Sequence, residues 1–188
     1  MTIDDAAIER LVREAQAGDP WAFGRIFDAY HGPIHRYVAS RIRNLTDAED
    51  LTQAIFVKAL EALPRYEARG IPFGGWLFRL ARNTVIDHVR TTRRHADLEE
   101  VLDRASLDAA PDVVALRRLD YDEVVVALGA LTEEQHEVIR LRFFAGLSAR
   151  EAAIAMDKQE GTIRGLQFRA LATLRRALGI TATVDDDA

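Results

Sequence analysis

The sequence predicts an all-α protein: two small helical domains, a bundle and a helix-turn-helix, joined by a flexible acidic linker. Three observations carry this. Leucine, alanine and arginine are plentiful while only 5 prolines occur in 188 residues. Ser/Thr-x-x-Glu/Gln sequences, in which each end of the pair satisfies a free backbone N–H of the other, begin three of the apolar-periodic stretches. Charge is segregated along the chain. Residues 1–95 hold 14 basic and 12 acidic side chains, 96–137 hold 3 and 12, and 138–178 hold 8 and 3. The net charge of −5 therefore hides a basic module behind an acidic connector, which suits a DNA-contacting unit better than a uniformly acidic protein would.

Taken in order, residues 5–17 place Ala7, Ile8, Leu11, Val12 and Ala15 at helical spacing and stop at Gly18. Pro20 opens a second helix holding Trp21, Phe23, Ile26, Phe27 and Tyr30. Gly32-Pro33 is expected to break it, with a third helix running to about Asn44. Thr46-Asp47-Ala48-Glu49 reads as a capping box, Thr46 at the N-cap, for a helix to about Leu63. A loop from Pro64 to Gly75 precedes a helix over 76–93. Residues 95–111 lack a steady period and are predicted to be the linker. A helix from about Asp112 to Leu128 follows. Thr132-Glu133-Glu134-Gln135 starts a helix to about Phe144, and Ser148-Ala149-Arg150-Glu151 starts the first helix of the helix-turn-helix. The expected domains are 1–94 and 112–178, with 179–188 a disordered tail.

The helix after Gln159 has two faces. At 100° per residue, Ile163, Leu166, Ala170, Leu174 and Ala177 line one stripe. Arg164, Arg169, Arg175 and Arg176 project opposite, with Gly161 and Gly165 between them. Small residues let a helix backbone approach phosphates, and arginine reads guanine edges with two hydrogen bonds. Such a helix touches bases near its N-terminus and phosphates further along. Arg164 and Phe168 are therefore placed near bases, Lys158, Arg169 and Arg175 on backbone, with Thr162 and Gln167 completing the duplex-facing set. Phe168 lies among arginines, where it either meets a thymine methyl or packs on a neighbouring helix.

The helix 76–93 turns Leu77, Leu80, Ala81, Thr84, Val85 and His88 inward. Arg79, Arg82, Asn83, Arg90 and Arg93 share the outer face, with Trp76 at its edge. Basic residues beside an aromatic suit single-stranded nucleic acid, because charge follows the backbone and rings stack on unpaired bases. Trp76 as a core anchor is the alternative. The helix 47–63 differs: Asp50, Gln53, Ala54, Val57 and Glu61 form an acidic-polar strip with an apolar member, which suits a helical protein partner rather than DNA.

Several classes are excluded. No apolar run approaches the ~20 residues of a membrane span, so no membrane insertion is expected. The acidic N-terminus is not a secretory signal, which fits a cytoplasmic address. With 0 cysteines there is no thiolate site, and no paired histidines suggest another, so neither metal nor cofactor is expected. Asp87 and His88 are adjacent on a helix and point about 100° apart, so they make no catalytic pair.

The words Gly-Asp-Pro-Trp-Ala-Phe (18–23), Asp-Ala-Glu-Asp-Leu-Thr-Gln (47–53) with Phe56, and Gly-Trp-Leu-Phe-Arg-Leu-Ala-Arg-Asn (75–83) with Asp87 and Arg90 stand in the first module. Leu-Arg-Phe-Phe-Ala-Gly-Leu-Ser (141–148), Glu151, Gly161-Thr162 and Arg169-Ala170-Leu171 stand in the second. In this order they closely resemble the extracytoplasmic-function (ECF) class of sigma-70 factors, the promoter-specificity subunits of bacterial RNA polymerase. The resemblance implies that the first module is region 2-like, with Asp50, Gln53, Ala54 and Val57 binding the clamp helices of the polymerase largest subunit. The 64–93 segment, with Trp76, Arg79, Arg82, Asn83, Asp87 and Arg90, would capture the unpaired −10 strand. The second module would be region 4-like, reading duplex −35 DNA and touching the flap tip. The resemblance also implies a partner of the anti-sigma kind and no enzymatic activity. Ala54, Asp157, Gln159 and Phe168 depart from the family's usual residues. The competing expectation is a stand-alone helix-turn-helix regulator.

Overall fold

The computed structural model describes residues 5–42, 44–68, 70–99 and 126–179, with the side chains of 93–99 left aside. All regular structure among them is helical. Helix α1 (Asp5–Gln16) leads to α2 (Pro20–Ala39), then α3 (Leu45–Ala62), which closes in a 3₁₀ turn at Leu63–Arg65. Helix α4 spans Phe73–Glu99. Helix α5 (Glu133–Ile139) runs into a π turn at Arg140–Phe144, followed by α6 (Ala149–Met156) and α7 (Glu160–Ala177).

Three expectations are corrected. Gly32-Pro33 does not break α2, which is continuous through Pro33. An interior proline costs about 3 kcal/mol. Just beyond it Ile34, Tyr37 and Val38 are all 0% exposed, and burying each such side chain is worth about 1.5–3 kcal/mol. Packing on both sides of the proline outweighs the lost backbone bond. Thr46 is not the cap of α3. Asn44 is: its side-chain oxygen accepts from the Thr46 N–H at 2.9 Å and the Asp47 N–H at 3.4 Å. Asparagine caps at least as well as threonine, and it comes earlier. Helix α4 begins at Phe73, inside the expected loop, and continues to Glu99, into the stretch assigned to the linker.

The other two capping boxes form as expected. Thr132 and Gln135 exchange bonds of 2.9 and 3.3 Å, and Ser148 and Glu151 exchange bonds of 2.8 and 3.2 Å. Of the helix expected over 112–128 only residues 126–128 are described, and they are helical; residues 112–125, the linker beyond Glu99 and the tail beyond Gly179 lie outside the described residues.

One buried apolar cluster runs from Ile8 and Val12 through Tyr37, Phe78 and Val85 into Leu141, Met156, Ile163 and Leu166. The helix-turn-helix therefore shares its core with the bundle, and a satellite cluster of Leu131, Ile139 and Ala170 lies under α7. Two glycines at the start of α4 permit the approach of α6. A Cβ on Gly74 would overlap the Glu151 carboxylate, and one on Gly75 would stand 3.0 Å from Ile154.

Candidate nucleic-acid interface

Helix α7 is positioned by the turn before it. Asp157 ends α6 in the left-handed region at φ 56°, and the Lys158 N–H returns to the Ala153 carbonyl at 2.8 Å. Aspartate tolerates this conformation better than most residues. Gln159 makes no side-chain cap for α7. Burial of Ile163, Leu166 and Ala170 fixes the rotation of the helix. Leu174 is half-buried, whereas Ala177, expected in the stripe, is exposed, because the helix outruns the core there.

The opposite face is open. Thr162, Arg164, Arg169 and Arg175 are exposed, and Phe168 is 74% exposed. Arg164 is held by Glu160 one turn earlier at 2.6 Å. Gln167 is half-buried and accepts from Arg142 Nε at 2.8 Å, so part of its hydrogen-bonding capacity is already used. Lys158 pairs with Glu134 at 2.7 Å. Arg142, Arg164, Gln167 and Phe168 together line a groove between the start of α6 and α7. Among the described residues the Phe168 ring is not buried against a neighbouring helix.

The α4 face is different. Leu77, Ala81, Thr84 and Val85 are buried as expected, and His88 and Leu80 are partly so. Trp76 is half-buried, with ring-centroid distances of 4.9 Å to Tyr66 and 5.2 Å to Phe73. It is an anchor with one edge left over, in a surface hollow shared with Arg65, Tyr66 and Ile71. Arg82, expected to face outward, turns toward Glu137 of α5 at 3.2 Å and retains 29% of its side-chain exposure. Arg79 stands 3.7 Å from Asp157. Asn83, Asp87 and Arg90 are exposed. The reason for the Arg82 departure is tertiary: a buried carboxylate from the second module sits over this part of α4. Nothing in the periodicity of 76–93 foretells it.

Glu137 is the residue that sequence reasoning passed over. It is 4% exposed. Tyr37 donates to it at 2.7 Å and Arg41 at 3.1 Å. Burial, reinforced by the nearby Glu137 charge, pushes the Tyr37 phenol far above its ordinary pKa, so it remains a hydrogen-bond donor across the neutral range. The only sequence signal was a glutamate directly before an apolar pair, Val138 and Ile139.

On α3, Leu51, Ile55 and Ala59 are buried, as is Leu63 in the turn that closes it. Asp50, Gln53 and Glu61 are exposed, Ala54 is half-buried, and Val57 and Leu60 are 56% and 51% exposed. Two large apolar side chains on one otherwise polar strip make a surface suited to a protein partner. No described helix is long and apolar enough to cross a membrane.

Comparison with known proteins follows the same division. Residues 26–95 match Sigma-70 region 2 and residues 127–176 match Sigma-70, region 4. The ECF RNA polymerase sigma factor BldN of Streptomyces coelicolor is 38% identical over 177 residues, which cover 93% of this chain and 67% of that protein. Among solved structures, CnrH in complex with the cytosolic domain of CnrY has a TM-score of 0.68 at 28% identity, covering 92% of this chain and 97% of that one. The sigma factor RpoE in complex with the anti-sigma factor NepR, from Bartonella quintana, has a TM-score of 0.63 at 25% identity, covering 84% and 97%.

Proposed function

The chain belongs to the ECF class of RNA polymerase sigma factors and directs core polymerase to specific promoters, and from that premise we propose how its surfaces divide the work. Helix α7 reads duplex −35 DNA. Arg164 and Phe168 meet base edges with Thr162 and Gln167 beside them, while Lys158, Arg169 and Arg175 hold phosphates. The observation that carries this is the one-sided helix: Arg164, Phe168, Arg169 and Arg175 all exposed, opposite a buried Ile163, Leu166 and Ala170.

The first domain, residues 1–94, takes the polymerase and the melted strand. Asp50, Gln53, Ala54 and Val57 dock on the clamp helices. Trp76, Arg79, Arg82, Asn83, Asp87 and Arg90 hold the unpaired −10 strand. Unstacking a base step costs a few kcal/mol, and a surface that binds only the open strand shifts that equilibrium toward opening. Residues 95–111 connect the domains and thread toward the polymerase cleft, and 112–178 also meet the flap tip. The protein acts in the cytoplasm, is not an enzyme, and is held in check by an anti-sigma protein, as the relative from Bartonella quintana is bound by one.

A stand-alone regulator is not favoured, because the relatives span almost the whole chain and residues 26–95 match region 2. The deciding experiment is run-off transcription with purified core polymerase and a library of genomic promoter fragments. Promoter-specific transcripts are expected. Their absence, together with no binding to core, would sink the reading. For the partner, a pull-down from native lysate that recovers only core polymerase subunits would count against an anti-sigma protein.

A further inference from the structure

Among the described residues one buried carboxylate, Glu137, bridges the two domains. Glu137 Oε1 accepts from the Tyr37 hydroxyl at 2.7 Å and lies 3.2 Å from Arg82 Nε. Its Oε2 accepts from Arg41 Nη1 at 3.1 Å and lies 3.7 Å from Arg140 Nη1. Three of these four partners belong to the first domain. The same interface is fastened at its edges by arginine-to-carbonyl bonds in both directions. Arg36 Nε reaches the Phe144 carbonyl at 2.9 Å, and Arg150 reaches the Gly70 carbonyl at 2.6 Å.

The charge count is unequal. One carboxylate faces three guanidiniums, so the cluster keeps an excess of positive charge while closed. A nucleic-acid phosphate would compete for the same guanidiniums. Arg82 is one of the residues assigned above to the unpaired strand, and Arg79 beside it faces Asp157 at the same seam. Strand binding and domain closure therefore draw on the same side chains.

We propose that Glu137 is an interdomain latch: while it holds Tyr37, Arg41 and Arg82, the helix-turn-helix domain covers the α4 face, and the free chain is kept from binding unpaired promoter DNA until the domains part on polymerase. The masking half of this statement rests on the assignment of the α4 face to single-stranded DNA. The latch itself does not.

Because the chain contains no cysteine, Glu49→Cys and Arg176→Cys, at exposed positions on α3 and α7, give two specific spin-label sites in the full-length protein. A narrow interlabel distance distribution is expected. Adding Glu137→Gln should lengthen and broaden it, and Arg41→Gln should do the same from the other side of the seam. Circular dichroism with unchanged helix content separates opening from unfolding. An unchanged distribution in both folded variants overturns the latch.

The second readout is affinity for a random-sequence pool of single-stranded DNA. Glu137→Gln should bind about tenfold tighter, the gain expected if about nine-tenths of the free chain is closed. Glu133→Gln removes the same charge from the exposed side of α5 and should change affinity less than about twofold; an equal gain there overturns masking. Opening without any gain in affinity leaves the latch standing and removes the strand assignment of α4. Run-off transcription reads the sigma function separately from both.

Discussion

Helices α4 and α7 carry the same kind of face in sequence and differ in how much of it the folded chain leaves free. On α7 the arginines and Phe168 stand open to solvent, and the acidic partner of Arg164, Glu160, is on the same helix. On α4, Arg82 is drawn to a buried carboxylate, Arg79 to Asp157, and Trp76 into a cluster with Tyr66 and Phe73. Periodicity identifies which side of a helix is charged. It does not say whether another part of the chain already occupies that side.

The largest effect should come from the core the two faces share. Phe78 is 1% exposed and meets the Tyr37 ring edge-on at 5.9 Å. Phe78→Ala should cost about 3–5 kcal/mol of stability, measured by urea unfolding, and should weaken both DNA functions together. Loss of the α4 function alone would mean that the two domains do not depend on one core.

Arg164→Ala should cost about 1–3 kcal/mol in −35-dependent initiation and relax preference at one base pair. Its melting temperature should stay put, since an exposed pair such as Arg164–Glu160 contributes little. Arg82→Ala should behave differently, because it removes a partner from a buried carboxylate. A stability loss of about 1–3 kcal/mol is expected alongside impaired open-complex formation. Equal melting temperatures for the two variants would erase the contrast between the helices.

Ser148→Ala removes the cap of α6, which presents α7, and should lower stability by about 1 kcal/mol. Calorimetry showing no shift would mean that α6 is held entirely by its contact with Gly74 and Gly75. Asn83→Ala is the smallest stability change, within about 0.5 kcal/mol for an exposed polar side chain. Its expected effect is slower open-complex formation by permanganate footprinting of the melted bases. Normal kinetics would remove Asn83 from the strand-binding set.

Much of the fold was legible. The buried sides of α3, α4 and most of α7 follow from 100° spacing, and two of three capping boxes form where their residues dictate. Those signals are local, reaching no further than a turn or two. The misreadings have two causes, one tertiary and one local. Pro33 should interrupt a helix judged on backbone alone, but Ile34, Tyr37 and Val38 are buried by residues distant in sequence. Asn44 capped α3 ahead of Thr46, a contest between two competent caps that spacing alone does not resolve.

What the sequence determined by itself is the helical class, the basic faces of α4 and α7, the acidic-polar strip of α3 and the ordered words that place the chain among the sigma factors. These depend on residue type at fixed spacing. What only the tertiary structure decided is availability: Arg164 and Phe168 exposed, Arg82 engaged across the domains, Trp76 an anchor, and Glu137 buried between domains. Glu137 and Tyr37 are 100 residues apart, and no helical periodicity carries information over that distance. Only the closing of one domain on the other brings the carboxylate to the phenol, and with it fixes which arginines the free protein can offer to DNA.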